Sequence, residues 1–155
     1  MPAYCFDTSA LLKRWLDEVG ADRVRALTAI CSGHRLYAAR LAIPEALGAI
    51  ARRHRAADIA PGDRARLLAA VRRDMAERVR VLTVSGAIWA HAAALAERRC
   101  LRGADAVHLA VAMSVRELHA SAGVDDLVFV TADGEQAVAA RAEGMQVENP
   151  AENPA

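Results

Sequence analysis

Apolar positions along the chain recur in two alternating rhythms: short continuous runs, and longer stretches in which they fall three or four residues apart. Ala3 to Phe6 is a short run that stops at Asp7, and Leu11, Leu12, Trp15 and Leu16 then follow at helical spacing as far as Gly20. Val24, Leu27 and Ile30 predict a second helix, Leu36 to Ala39 a second strand, and Ile43, Leu47 and Ile50 the buried face of another helix. Pro44 fits only the first turn of that helix, which places its start near Leu41 to Ile43. Pro61-Gly62 marks a turn between helices, and Asp63 opens a charged amphipathic helix along Leu67, Leu68, Val71 and Met75. VRVLTV at 79–84 predicts a strand, Ser85 an N-cap for a helix through Arg98, and Gly103 a break before a helix from Ala104 to Ala120. LVFVT at 127–131 is a continuous run of the kind that suits a parallel strand buried on both faces. A helix over Gly134 to Ala142, a stop at Gly144 and a short strand Met145 to Glu148 complete the pattern.

Five strands separated by helices predict an α/β fold with a mainly parallel sheet and right-handed connections. At 155 residues, the chain is expected to form one domain over residues 1–150. The Pro-rich near-repeat NPAENPA at 149–155 is expected to fray, leaving 151–155 as a tail. A hydrophobic share of 54 % against 25 % charged excludes a disordered chain, and a net charge of +1 excludes attraction of polyanions by bulk charge. Cys5, Cys31 and Cys100 are odd in number and form no C-x-x-C pair, which argues against a disulfide framework or a structural zinc site and suits a reducing cytoplasm. With no apolar run near the ~20 residues of a membrane span and no basic-then-apolar start, a cytoplasmic protein without membrane attachment is expected.

The candidate chemistry lies in the acids. Ligands of an open parallel sheet bind beyond the carboxyl ends of its strands. Asp7 ends the first strand and Asp133 follows the strand LVFVT by two residues, so both belong to that edge. Glu45 in LAIPEALGAI and Asp105 in LRGADAVHLAVA sit in apolar surroundings near helix N-termini, where the helix dipole favours an anion. Each alone reads equally well as a first-turn or capping carboxylate. Four acids brought together repel one another unless a cation joins them, and a hard divalent ion, Mg²⁺ or Mn²⁺, matches oxygen ligands. Such a site suits phosphodiester hydrolysis.

These residues resemble PIN-domain ribonucleases, in particular the VapC toxins of bacterial toxin-antitoxin pairs. FDTSAL at 6–11, IPEAL at 43–47, GADAVHLA at 103–110 and VTAD at 130–133 are similar to the family's motifs, in order, and the resemblance spans residues 3–150. It implies a PIN-like three-layer α/β/α sandwich, with Asp7, Glu45, Asp105 and Asp133 as metal ligands directly or through water. It implies that Ser9 and Thr131 orient those acids by hydrogen bonds. It also implies Mg²⁺-dependent endonucleolytic cleavage of RNA, a homodimer, and neutralisation by a small VapB-like antitoxin. One departure is that Gly134, Glu135, Gln136 and Ala137 follow Asp133 where many relatives place an aromatic residue.

The remaining polar residues are weaker candidates. Thr8 and Ser9 are expected to cap the first helix. Asp125 and Asp126 precede a strand and belong to a turn at its far end, and Glu135 reads as a solvated first-turn acid. His108, one helical turn beyond Asp105, has no histidine pair beside it and is expected to pack or support instead of holding zinc. Arg98, Arg99 and Arg102 lie near the Asp105 helix and are candidates for phosphate contact, whereas Arg52, Arg53 and Arg55 suit a helix C-terminus. Trp15 and Trp89 are expected in the core or an interface. Three other readings remain: a non-toxin PIN nuclease of RNA processing, a non-catalytic PIN-like module that binds RNA or protein, and a haloacid-dehalogenase-type phosphatase. The last wants a second Asp at the position of Ser9.

Overall fold

The structure, a computed structural model, describes residues 2–152. Strands β1 (Ala3–Phe6), β2 (Arg35–Ala39), β3 (Arg80–Leu82), β4 (Leu127–Val130) and β5 (Gln146–Glu148) form a five-stranded sheet in the order β3-β2-β1-β4-β5. Every neighbouring pair is parallel. The crossovers carry α1 (Thr8–Leu11), α2 (Ala21–Leu27), α3 (Ala42–Arg55), α4 (Asp63–Glu77), α5 (Gly86–Arg99), α6 (Gly103–Ser121) and α7 (Gly134–Ala142).

Side chains alternate across a strand, so a strand covered on both faces must be apolar throughout. In β1, Ala3 and Cys5 enter a core with α5, α6 and α7, while Tyr4 and Phe6 enter a second core with α1 to α4. β4 divides in the same way, Phe129 toward the first layer and Val130 toward the second. The result is a three-layer α/β/α sandwich. Strand order turns back at β1, whose neighbours are β2 and β4, so a crevice opens beyond the carboxyl end of β1. Among the described residues, no helix is long and apolar enough to cross a membrane.

Several local expectations are corrected. The apolar spacing of Leu11 to Leu16 is met by the short α1 and a 3₁₀ turn over Leu12–Arg14, not by one helix. α2 stops at Leu27, where Thr28 Oγ1 donates to the Val24 carbonyl at 2.7 Å, and Ile30 is left 83 % exposed. β3 holds three residues instead of six, because Thr83 and Val84 lead out to the Ser85 cap, whose side chain accepts from Ile88 N. Trp89 is 55 % exposed, which removes the core from its expected places and leaves an interface. At the start of the tail, Asn149 and Pro150 are buried, and Asn149 Oδ1 accepts from Ala151 N at 3.0 Å. The Pro150 carbonyl oxygen lies 2.4 Å from where a Cβ on Gly20 would stand, and Gly20 has φ +85°, so only glycine fits that contact. The expected fraying of 153–155 falls outside the described residues.

Candidate functional site

Asp7, Glu45, Asp105 and Asp133 line one pocket of about 310 Å³ with Thr8, Ser9, Leu12, Arg102, Ala104 and His108. The fold places each acid by a different element. Asp7 directly follows β1, and its amide extends the ladder by donating to the Val130 carbonyl at 3.1 Å. Glu45 stands in the first turn of α3 and Asp105 in the first turn of α6, where the exposed N–H groups of the helix favour negative charge. Asp133 caps α7, its Oδ1 accepting from Gln136 N at 2.9 Å.

Asp7 is 3 % exposed and firmly held. Its Oδ1 accepts from Ala10 N at 2.8 Å, so Asp7 itself caps α1, correcting the expectation that Thr8 and Ser9 do so. The helix begins at Thr8, which leaves Asp7 as the residue before the first turn. Ser9 Oγ lies 2.9 and 2.7 Å from the two carboxylate oxygens of Asp7 and accepts from Ala132 N at 3.0 Å. Thr131 Oγ1 donates to Asp7 Oδ2 at 3.0 Å and accepts from Asp133 N at 3.1 Å. Ser9 and Thr131 thus tie the β1 and β4 acids together.

Glu45 is oriented from the opposite side. Its Oε2 accepts from the Thr8 hydroxyl and lies 2.7 Å from His108 Nε2, which is itself 3.1 Å from Thr8 Oγ1. A short contact from Nε2 to a carboxylate assigns the proton to Nε2, leaving Nδ1 as an acceptor. Nδ1 is buried without a hydrogen-bond partner among the described residues, which a lone pair tolerates better than an N–H. His108 therefore supports Glu45, the supporting role expected of it.

The charge of the pocket is only partly balanced. Burial pushes the Asp7 carboxyl above its ordinary pKa despite the bonds from Ala10, Ser9 and Thr131. Asp105 is also raised, by burial first; Arg102 draws it down while the neighbouring Asp133 adds to the rise. Glu45 shifts the other way, because hydrogen bonds from His108 and Thr8 outweigh its burial. Arg102 Nε lies 3.2 Å from Asp105 Oδ2 and its Nη2 3.3 Å from Asp133 Oδ2, bridging the two acids. The other candidate arginines are elsewhere: Arg98 and Arg99 are both bound to Glu143, outside the pocket lining.

Among the described residues, no three Asp, Glu, His or Cys side chains form a preformed metal cage. The donor set still fits a hard cation by type. Mg²⁺ is usually bound through one or two carboxylates and keeps several waters. The pocket offers oxygen donors from four elements and already draws a cationic group of its own chain onto two of them.

Gln136 escaped the sequence reading. It is fully buried, its Nε2 donating to the Asp105 carbonyl at 2.9 Å and its Oε1 lying 2.7 Å from Thr131 Oγ1. It stands three residues after Asp133, in the stretch where the sequence departs from the motif, and joins the α6 and β4 sides of the pocket. The spacing D-x-x-Q resembles a capping box and was the available signal.

A family model described as PIN domain matches residues 4–142. Ribonuclease VapC45 of Mycobacterium tuberculosis is 36 % identical over 118 residues, covering 74 % of this chain and 78 % of that protein. Among solved structures, a toxin-antitoxin complex from Klebsiella pneumoniae has a similar fold at 17 % identity, with a TM-score of 0.61 over 95 % of this chain and 97 % of that one. VapBC2 from Rickettsia felis, bound to a DNA fragment from their promoter, reaches a TM-score of 0.60 at 10 % identity, over 95 % and 98 % of the two chains. The parallel sheet, the acids at its carboxyl edge and these matches together show that the chain belongs to the PIN-domain family, in its VapC group.

Proposed function

We propose that this protein is a Mg²⁺-dependent endoribonuclease of the VapC toxin type, with Mn²⁺ able to substitute, neutralised by a small VapB-like antitoxin and acting as a homodimer. The observation that carries the catalytic reading is the meeting of four acids from four elements in one pocket lined by a single arginine. The VapC relationship supports the RNA substrate and the antitoxin.

Asp7, Glu45, Asp105 and Asp133 would hold the ion, directly or through water. A bound hard cation supplies polarisation of a phosphoryl oxygen and a water of lowered pKa. The chain's own residues supply placement. Ser9 and Thr131 fix the Asp7 carboxylate, and Gln136 holds Thr131 against the first turn of α6. His108 and Thr8 hold one oxygen of Glu45 and favour its ionised form, so its other oxygen would be available to a ligand with little reorganisation. Arg102, exposed at the edge of the pocket, would meet the phosphate of an entering RNA.

The test is incubation of purified protein with a structured RNA and Mg²⁺. The protein should cut, an Asp7→Asn variant should not, and equal cutting by both rejects the reading. Growth arrest on induction, relieved by Asp7→Ala, would separate a toxin from a housekeeping nuclease.

A further inference from the structure

Arg102 stands out from the other basic residues near the pocket. It occupies the position before α6 in extended conformation, φ −62° and ψ 150°, and its side chain makes no capping bond to the helix. Its guanidinium instead reaches Asp105 and Asp133 across 31 residues of sequence, at 3.2 and 3.3 Å, while the side chain is 78 % exposed. Arg98 and Arg99 are held closer, at 2.8 and 2.7 Å from Glu143. An exposed ion pair contributes little in water, so the Arg102 bridge is readily exchanged. Yet it bridges two acids that repel one another, Asp133 acting on Asp105. On the far side of the pocket, His108 contacts Glu45 and Arg52 acts on it by charge alone.

We propose that Arg102 is a tethered counter-cation that competes with the divalent ion for Asp105 and Asp133, and that metal binding releases its guanidinium to take an RNA phosphate. This rests on the metal-dependent reading above and gives one residue two opposed roles. Before metal binds, Arg102 offsets the repulsion between two carboxylates. Once an ion takes over that task, the guanidinium is left at the mouth of an anionic pocket whose charge has fallen. A free guanidinium there suits bidentate recognition of a phosphate. The same exchange keeps the metal weakly held until substrate arrives.

Removing Arg102 should therefore move two affinities in opposite directions, a result that loss of a merely structural contact does not produce. The first readout is Mn²⁺ affinity, by calorimetry without RNA. Arg102→Ala should bind Mn²⁺ about fivefold more tightly than the parent protein, the scale of an exposed ion pair. The second is binding of a labelled single-stranded RNA with Mn²⁺ present, read by rapid mixing before cleavage sets in. There Arg102→Ala should weaken binding, and the slope of log K against log salt should fall by about 0.7, one phosphate contact on a single strand. Arg102→Lys should keep most of the RNA affinity but bind Mn²⁺ more tightly than the parent, because a point charge does not bridge two carboxylates as a planar fork does. Unchanged or weaker Mn²⁺ binding in Arg102→Ala, or unchanged RNA binding, overturns the proposal while leaving the metal-dependent nuclease standing. Failure of the parent protein to bind Mn²⁺ at all overturns both.

Discussion

The two ends of the sheet carry similar acids and treat them in opposite ways. At the amino end, Asp126 accepts from Arg35 at 2.6 Å and lies 3.0 Å from His119 Nδ1, while His119 Nε2 lies 3.1 Å from the Tyr37 hydroxyl. Arg80 stands over the Tyr37 ring, 5.8 Å from its centroid. There burial works against the Asp126 carboxylate, but His119 and Arg35 overcome it and hold the pKa below its ordinary value. At the carboxyl end, burial prevails, and Asp7 and Asp105 are held above theirs. One helix, α6, connects the two ends: Asp105 lies in its first turn and His119 in its last. An acid satisfied by its own chain stabilises the fold, whereas acids left partly unbalanced at a crevice are the ones that can use an outside cation.

This contrast can be broken most severely at Asp7. Asp7→Asn should reduce RNA cleavage well beyond the ~10–100-fold that removal of an orienting group costs. Asp126→Asn, measured in the same assay, should cut RNA as the parent does. His108→Ala should fall within that ~10–100-fold range, because His108 orients Glu45 and does not itself face the substrate. His119→Ala at the other end should leave cleavage intact.

Stability should show the mirror image. Asp126→Asn removes charge-assisted bonds and should cost about 1–2 kcal/mol in denaturant unfolding at neutral pH. Asp7→Asn should be as stable as the parent or more so, because the asparagine keeps the helix cap and removes a buried charge. The pH dependence has opposite signs. Asp126 has a depressed folded pKa, so its contribution is present above the ordinary value of 3.8 and disappears as pH falls below it. Asp7 has a raised folded pKa, so its ionisation penalty is present at neutral pH and is relieved as pH falls through the raised value toward 3.8. The gap between each variant and the parent should therefore close in acid from opposite directions. The smallest effect is expected at the outer surface. The Glu143 carboxyl is pulled down to about 2 by Arg98 and Arg99, but those arginines are partly exposed, and Glu143→Gln should cost less than ~1 kcal/mol.

The sheet was legible because a strand covered on both faces has to be apolar throughout. AYCF and LVFV satisfy that directly, and parallel pairing then places Asp7 beside Val130 and the acids on one edge. Ile30 misled because periodicity reports spacing, not which helix ends first, and Thr28 ends α2 before Ile30 is reached. The four acids were legible as apolar-context carboxylates at helix starts. Their balance was not, since the Arg102 bridge to Asp133 and the Gln136 bond to Asp105 each join residues 31 positions apart. The sequence offered Asp7 either as a strand-end acid of the site or, with Thr8 and Ser9, as a helix cap, and the Ala10 amide at 2.8 Å gives it both roles.

The most direct test is thermal unfolding with increasing Mg²⁺ for the parent protein, Asp7→Asn and Asp126→Asn. Binding to the folded state stabilises it by about 2.7 kcal/mol at a hundred times Kd. The parent and Asp126→Asn should rise in parallel with Mg²⁺, from different starting stabilities, while Asp7→Asn stays flat. An equal rise in Asp7→Asn, or none in the parent, would contradict the assignment of the carboxyl-edge acids to a metal.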